Sequence, residues 1–296
     1  MKRDTVKLPS EMVIDFRQLT LKEENYLAAA ARSRKGSQEK TLVEVVARCT
    51  EAIVEPGPYP WAKPGQKPVW NDMLNGDFFK SLIELRKLSY REGKEYDIDL
   101  KCPNRACNNA FGWTVDLDKD LLVKRLPEES AAALREGRPL EAVVAGKKVF
   151  YNLGMVKDTA FQEKLDKRFP GREMACLLRA RIVKVEGVDP KDLMNWLDGE
   201  GKGPYEGLTS DDAEDLRSEF ERTDCGVDTE IEVECTRTSC RNVFRLDLPF
   251  LQILSPTRAV KNRRKRREEQ GDLETPEVPE TPTTDDLLDG SDSSEG

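Results

Sequence analysis

The chain contains no histidine. The side chain that most often serves as a general base near neutral pH is therefore missing, and any metal site must be built without imidazole. No apolar run is long enough to cross a membrane. Nor does the sequence open with the charged-then-apolar pattern of an export signal, so neither export by that route nor membrane insertion is expected. There is no nucleophile elbow, no phosphate-binding glycine loop and no HExxH helix. The stretch 199–204 is glycine-rich and carries a lysine, but it lacks the phosphate-loop spacing and reads as a flexible loop. Asp211 and Asp212 stand at a helix start, where carboxylates complement the helix dipole. These absences point away from an enzyme and from a small-molecule substrate.

Positive charge is missing from the end of the chain. All 48 lysines and arginines lie at or before Arg267, whereas eleven of the 56 acidic residues lie after it. Up to Arg267 there are 48 basic and 45 acidic residues, a net +3, so the overall −8 belongs to the tail. A near-neutral body argues against a strongly basic nucleic-acid binder. Residues 268–296 have almost nothing to bury, and a disordered tail is expected there.

The seven cysteines carry the strongest pattern. Ile98 to Phe111 aligns without a gap on Ile231 to Phe244 at an offset of 133 residues, matching Cys102 with Cys235, Cys107 with Cys240 and Asn109 with Asn242. Each cysteine pair follows alternating apolar and charged residues and precedes a second strand-like run, so each copy reads as strand, turn, strand. Two such turns facing each other would present four thiolates in a rough tetrahedron, the arrangement preferred by a structural zinc ion. Free thiols or one local disulfide per pair are the bland alternatives. Two matched pairs favour the metal, and iron in the same geometry stays open. A four-sulfur zinc has no open position for substrate, so the metal is expected to be structural. Cys49 and Cys176 read as small core residues, and Cys225 as structural or inert.

Along the chain, residues 5–16 read as extended, with Pro9 interrupting. Thr20 and Glu23 form a capping box for a helix to about residue 32. A second helix is expected over 39–52, with Leu42, Val45, Val46 and Cys49 on its buried face. Residues 56–68 hold five prolines and two glycines. In this loop Tyr59 and Trp61 are candidate partner-docking residues, against the commoner outcome that loop aromatics anchor their own domain. Asp77 reads as the cap of a helix over 78–90. A hairpin turning at Ala145-Gly146 and helices over 156–169, 174–183, 191–197 and 211–221 are expected between the cysteine copies.

The run Arg86 to Cys107, with its Arg86, Gly93, Tyr96 and Cys102-Pro103 pattern, resembles baseplate hub assembly proteins of T-even-type contractile-tailed bacteriophages. The similarity extends from about residue 20 to 249. Here four residues, not two, separate the cysteines of each knuckle, and the acidic tail lies outside the pattern. The resemblance implies a non-enzymatic component of the tail baseplate, acting in the hub or in tail-tube initiation through contacts with other hub and tail proteins. It would be found in the host cytoplasm during assembly and in the virion tail. The runner-up is a zinc-ribbon protein associated with nucleic acid or transcription, because Lys101, Arg105, Arg237, Arg241 and Arg245 flank the knuckles. The expected fold is α+β. It comprises a mainly helical region 1–95, a first knuckle 96–118, an insertion of helices and a hairpin 119–228, a second knuckle 229–256 and a tail 257–296. The two knuckles together would form a zinc-ribbon-like unit held by Cys102, Cys107, Cys235 and Cys240.

Overall fold

The computed structural model describes residues 1–32, 38–200, 204–248 and 253–254. The basic block 261–267 and the acidic tail lie outside them. Alternation of apolar and polar residues near the N-terminus gives a hairpin of β1 (Arg3–Lys7) and β2 (Val13–Arg17), with Val6, Ile14 and Phe16 turned inward. The turn is closed where Glu11 takes a positive φ of 74°. α1 (Leu21–Arg32) starts after Thr20, where half of the expected capping box forms. Thr20 N donates to Glu23 Oε2 at 3.0 Å, and Thr20 Oγ1 donates to the same oxygen at 2.5 Å, while Glu23 N bonds the Thr20 carbonyl instead of its hydroxyl. α2 (Gln38–Cys49) buries the expected stripe. The helix ends at Cys49, not at residue 52, because Thr50–Glu55 is β3, paired with β2 so that Ile14 faces Ile53. Thr50, Ile53 and Val54 are β-branched, and the free edge of β2 outweighs the weak local helical preference.

α3 (Asn75–Ser89) begins before Asp77, with Leu74 at its N-cap. The capping role expected of Asp77 is therefore corrected. Its carboxylate is wholly buried in the first turn and accepts from Ser10 N at 2.9 Å, Ser10 Oγ at 2.5 Å and Tyr59 Oη at 2.6 Å. It joins the β1–β2 turn, the proline-rich loop and α3. Burial pushes its pKa up from 3.8 to about 6.

α3 leads into the hairpin of β4 (Glu95–Lys101) and β5 (Ala110–Asp116). Then come β6 (Val123–Lys124), α4 (Glu128–Glu136), β7 (Leu140–Val144), β8 (Lys147–Tyr151), α5 (Val156–Arg168), α6 (Glu173–Arg181), β9 (Ile182–Val185), α7 (Leu193–Asp198), α8 (Ser210–Thr223) and β10 (Gly226–Val227). A second hairpin, β11 (Glu230–Glu234) and β12 (Val243–Asp247), follows. The β7–β8 turn falls at Ala145-Gly146, both with positive φ, the backbone a tight two-residue hairpin requires. The helix expected to reach residue 183 stops at Arg181, and β9 adds to β8 as the third strand of that sheet. β6 pairs with β10, Val123 opposite Val227, so the two ends of the long segment between the hairpins meet. Among the described residues the class is α+β, with small antiparallel sheets and helices around one apolar core.

Residues Met1–Pro256 form one compact unit. The end of this unit is seated on the run that carries the family resemblance. Arg86, fully buried, donates Nη1 to the Ile253 carbonyl at 2.6 Å and Nη2 to the Glu95 carbonyl at 3.1 Å. Its guanidinium stands 4.9 Å from the Tyr96 ring centroid and 5.4 Å from that of Tyr90. Tyr90 Oη donates to the Leu254 carbonyl at 2.7 Å. Gly93 allows the chain to turn back over α3, since a Cβ there would lie 2.4 Å from the Arg86 carbonyl oxygen.

Candidate metal centre

The site is built by two hairpins of the same design. In the first, Ile98 faces Trp113 and Leu100 faces Phe111; in the second, Ile231 faces Leu246 and Val233 faces Phe244. Period-two alternation puts these residues on one side of each hairpin. There the Phe111 and Phe244 rings meet edge to face, 6.5 Å between centroids.

The turns repeat each other bond for bond. Cys102 N donates to the Asn109 carbonyl at 2.8 Å, and Cys235 N to the Asn242 carbonyl at 2.9 Å. Cys107 N donates to the Asn104 carbonyl at 2.9 Å, and Cys240 N to the Arg237 carbonyl at 2.9 Å. The residue after the second cysteine is left-handed in both turns, Asn108 at φ 48° and Arg241 at φ 45°. The 133-residue offset is thus also a structural repeat.

The four sulfurs of Cys102, Cys107, Cys235 and Cys240 all lie within 4.8 Å of one another. Cys102 Sγ is 3.9 Å from Cys240 Sγ, and Cys107 Sγ is 3.8 Å from Cys235 Sγ. A tetrahedral ion with metal–sulfur bonds of about 2.3 Å sets its sulfurs ~3.8 Å apart, so these separations suit an S4 ion; a disulfide would need about 2.05 Å. All seven cysteines are free thiols. The side-chain amides of Asn104 and Asn109 approach Cys240 Sγ at 3.7 Å and Cys235 Sγ at 3.9 Å, where they would stabilise thiolate charge. Burial and the neighbouring thiols push the Cys102 thiol up to about 11. A coordinated cation reverses that preference by favouring the thiolates. The donor set, its spacing and its amide partners fit a four-sulfur metal.

The remaining cysteines lie apart from this cluster. Cys49 and Cys176 are fully buried, with thiols raised by burial to about 12 and about 11. Cys225 is buried with its sulfur 4.0 Å from Asp77 Oδ1, and its carbonyl lies against Gly76. Tyr59, a docking candidate weighed against the commoner outcome of an internal anchor, points inward. It is 3% exposed, donates to Asp77 and accepts from Leu74 N at 3.0 Å. A phenol held by two buried partners anchors its loop and offers a neighbouring protein nothing. Trp61 packs on it, 5.3 Å between centroids, and stays half-buried.

Sequence reasoning overlooked the side chains that tie one knuckle to the other. Asn109 Nδ2 donates to Thr236 Oγ1 at 3.2 Å, and Arg237 Nη1 to the Cys107 carbonyl at 3.0 Å. The match of Asn109 with Asn242 was the available signal for the first; nothing marked Arg237.

A family model described as T4 bacteriophage base plate protein matches residues 1–248, which include all four clustered cysteines and everything between them. No curated protein and no solved structure matches the chain.

Proposed function

The chain belongs to the T4 bacteriophage base plate protein family, and from that premise we propose that it is a non-enzymatic structural and assembly component of the baseplate hub or of tail-tube initiation. It works through contacts with other baseplate and tail proteins, during assembly in the host cytoplasm and in the virion tail. The observation that carries this reading is the family match over residues 1–248.

Its body is held closed by one structural metal ion, zinc rather than iron, bound by Cys102, Cys107, Cys235 and Cys240. The sulfur spacing supports a four-sulfur metal at this site. An isolated two-stranded hairpin is marginal in water, and here each of two such hairpins would gain its stability from the ion and from the other. The two hairpins then act as one piece, with residues 119–228 a closed excursion between them. Among the described residues no helix is long and apolar enough to cross a membrane.

The test is affinity purification of the tagged protein from infected cells, with identification of what co-purifies. Baseplate and tail proteins are the expected result. RNA polymerase or nucleic acid in their place would overturn the reading in favour of a zinc-ribbon regulator.

A further inference from the structure

We propose that the tip formed by the two cysteine turns is a docking surface for an acidic segment of a partner protein. Lys101, Arg105, Arg237 and Arg241 are all exposed around this tip. The turns themselves, residues 103–110 and 236–243, contain no aspartate or glutamate. Among the described residues Lys101, Arg105 and Arg241 enter no ion pair, while Arg237 is spent on the Cys107 carbonyl. Further down the hairpin the pattern changes, and Arg245 is paired with Glu230 at 3.0 Å and Glu232 at 3.5 Å. The tip therefore carries positive charge that the fold does not use.

A divalent ion held by four thiolates would carry a charge of about −2, which four cations more than offset. The turns that carry these cations are also joined. The Asn109–Thr236 and Arg237–Cys107 bonds lock one turn against the other, so a ligand would meet a preorganised surface. The flanks decide which polyanion fits. Asp97 and Asp99 on β4, and Glu230, Glu232 and Glu234 on β11, are exposed immediately below. An extended nucleic acid would run over these carboxylates and be repelled. A short run of Asp or Glu can engage the tip alone, with Thr236, Thr238, Ser239 and Asn108 as added hydrogen-bond donors.

This proposal uses the tip geometry and so rests on the two knuckles being joined, as in the functional reading above. The experiment is fluorescence anisotropy of a labelled poly-aspartate peptide and, separately, a labelled oligothymidylate, with the full chain at low salt. The parent is compared with Arg105→Glu/Arg241→Glu and with Arg138→Glu as a remote control, and metal content is measured in each preparation. The double variant is expected to weaken peptide binding at least ~10-fold, and Arg138→Glu to leave it unchanged. Equal peptide binding by parent and double variant overturns the proposal. So does oligothymidylate binding that is tighter than peptide binding and lost in the same variant. A metal-free preparation that still shows the difference supports the tip and removes only the metal.

Discussion

The Phe111 ring packs edge to face on the Phe244 ring, and these are the same position of two sequence copies. The sulfurs obey the same exchange. The second cysteine of each copy meets the first cysteine of the other, at 3.9 and 3.8 Å. A residue meeting its own equivalent, with cross-pairs exchanged, is the signature of a two-fold relation, here within one chain. The two halves of the site are separated by the whole segment 119–228, so whatever holds them together holds the chain closed.

Removing one ligand should therefore do more than lower metal affinity. Cys235→Ser is expected to release the ion and free the β11–β12 hairpin, lowering stability by several kcal/mol, about the scale of a lost structural metal. Cys176→Ser, buried elsewhere, is expected to cost about 1 kcal/mol. Urea melts of both variants against the parent check this; equal losses would contradict it.

Arg86 is predicted to secure the end of the compact unit. Arg86→Ala is expected to cost about 3 kcal/mol, because it empties a buried site and leaves the Ile253 and Glu95 carbonyls without their donor. Gly93→Ala should destabilise too, since its Cβ would meet the Arg86 carbonyl, whereas Gly112→Ala, with open space around it, should not. Ending the chain after Pro256 should leave the melt unchanged. Ending it after Leu248 removes Ile253 and Leu254 and should reproduce the Arg86 loss.

The sequence disclosed the knuckles because strand alternation and cysteine spacing repeat at a fixed offset, which needs no tertiary information. The Thr20–Glu23 cap and the Ala145-Gly146 turn were equally legible, since both depend on local chemistry. β3 and β9 were not. Thr50–Glu55 and Ile182–Val185 follow helices without a break, and only the free edges of β2 and β8 make them strands. Asp77 sits where a helix cap would, and its burial depends on Ser10 and Tyr59, far from it in sequence. Likewise the pattern Arg86, Gly93, Tyr96 could be read as a family mark, but not as the seat for Ile253.

Asp77 should give the protein a measurable pH dependence. Its folded pKa of about 6 lies above the ordinary value of 3.8. Folding thus favours the protonated form, and the group's contribution is fully present below the lower value and lost as pH rises through the higher. Asp77→Asn stays neutral throughout. The stability of the parent minus that of the variant should fall by up to about 3 kcal/mol between pH ~4 and ~7. Denaturation series at stepped pH would read it, and a constant difference would show Asp77 to be ionised and fully compensated.

Tyr59 and Trp61 should separate. Tyr59→Phe removes the hydroxyl that bonds Asp77 and Leu74, and is expected to cost about 1–3 kcal/mol. Trp61→Ala, at a half-buried ring, should cost less stability while weakening capture of baseplate partners. A stability loss for Trp61→Ala larger than that for Tyr59→Phe, with capture unchanged, would make the whole loop an internal anchor.

The most direct test of the closed, metal-held body is elemental analysis of the full chain, purified without a histidine tag, joined to thermal melts with and without chelator. About one zinc ion per chain is expected, released by a mercurial together with loss of the cooperative transition. Metal-free protein that melts normally, with chelator making no difference, would contradict it.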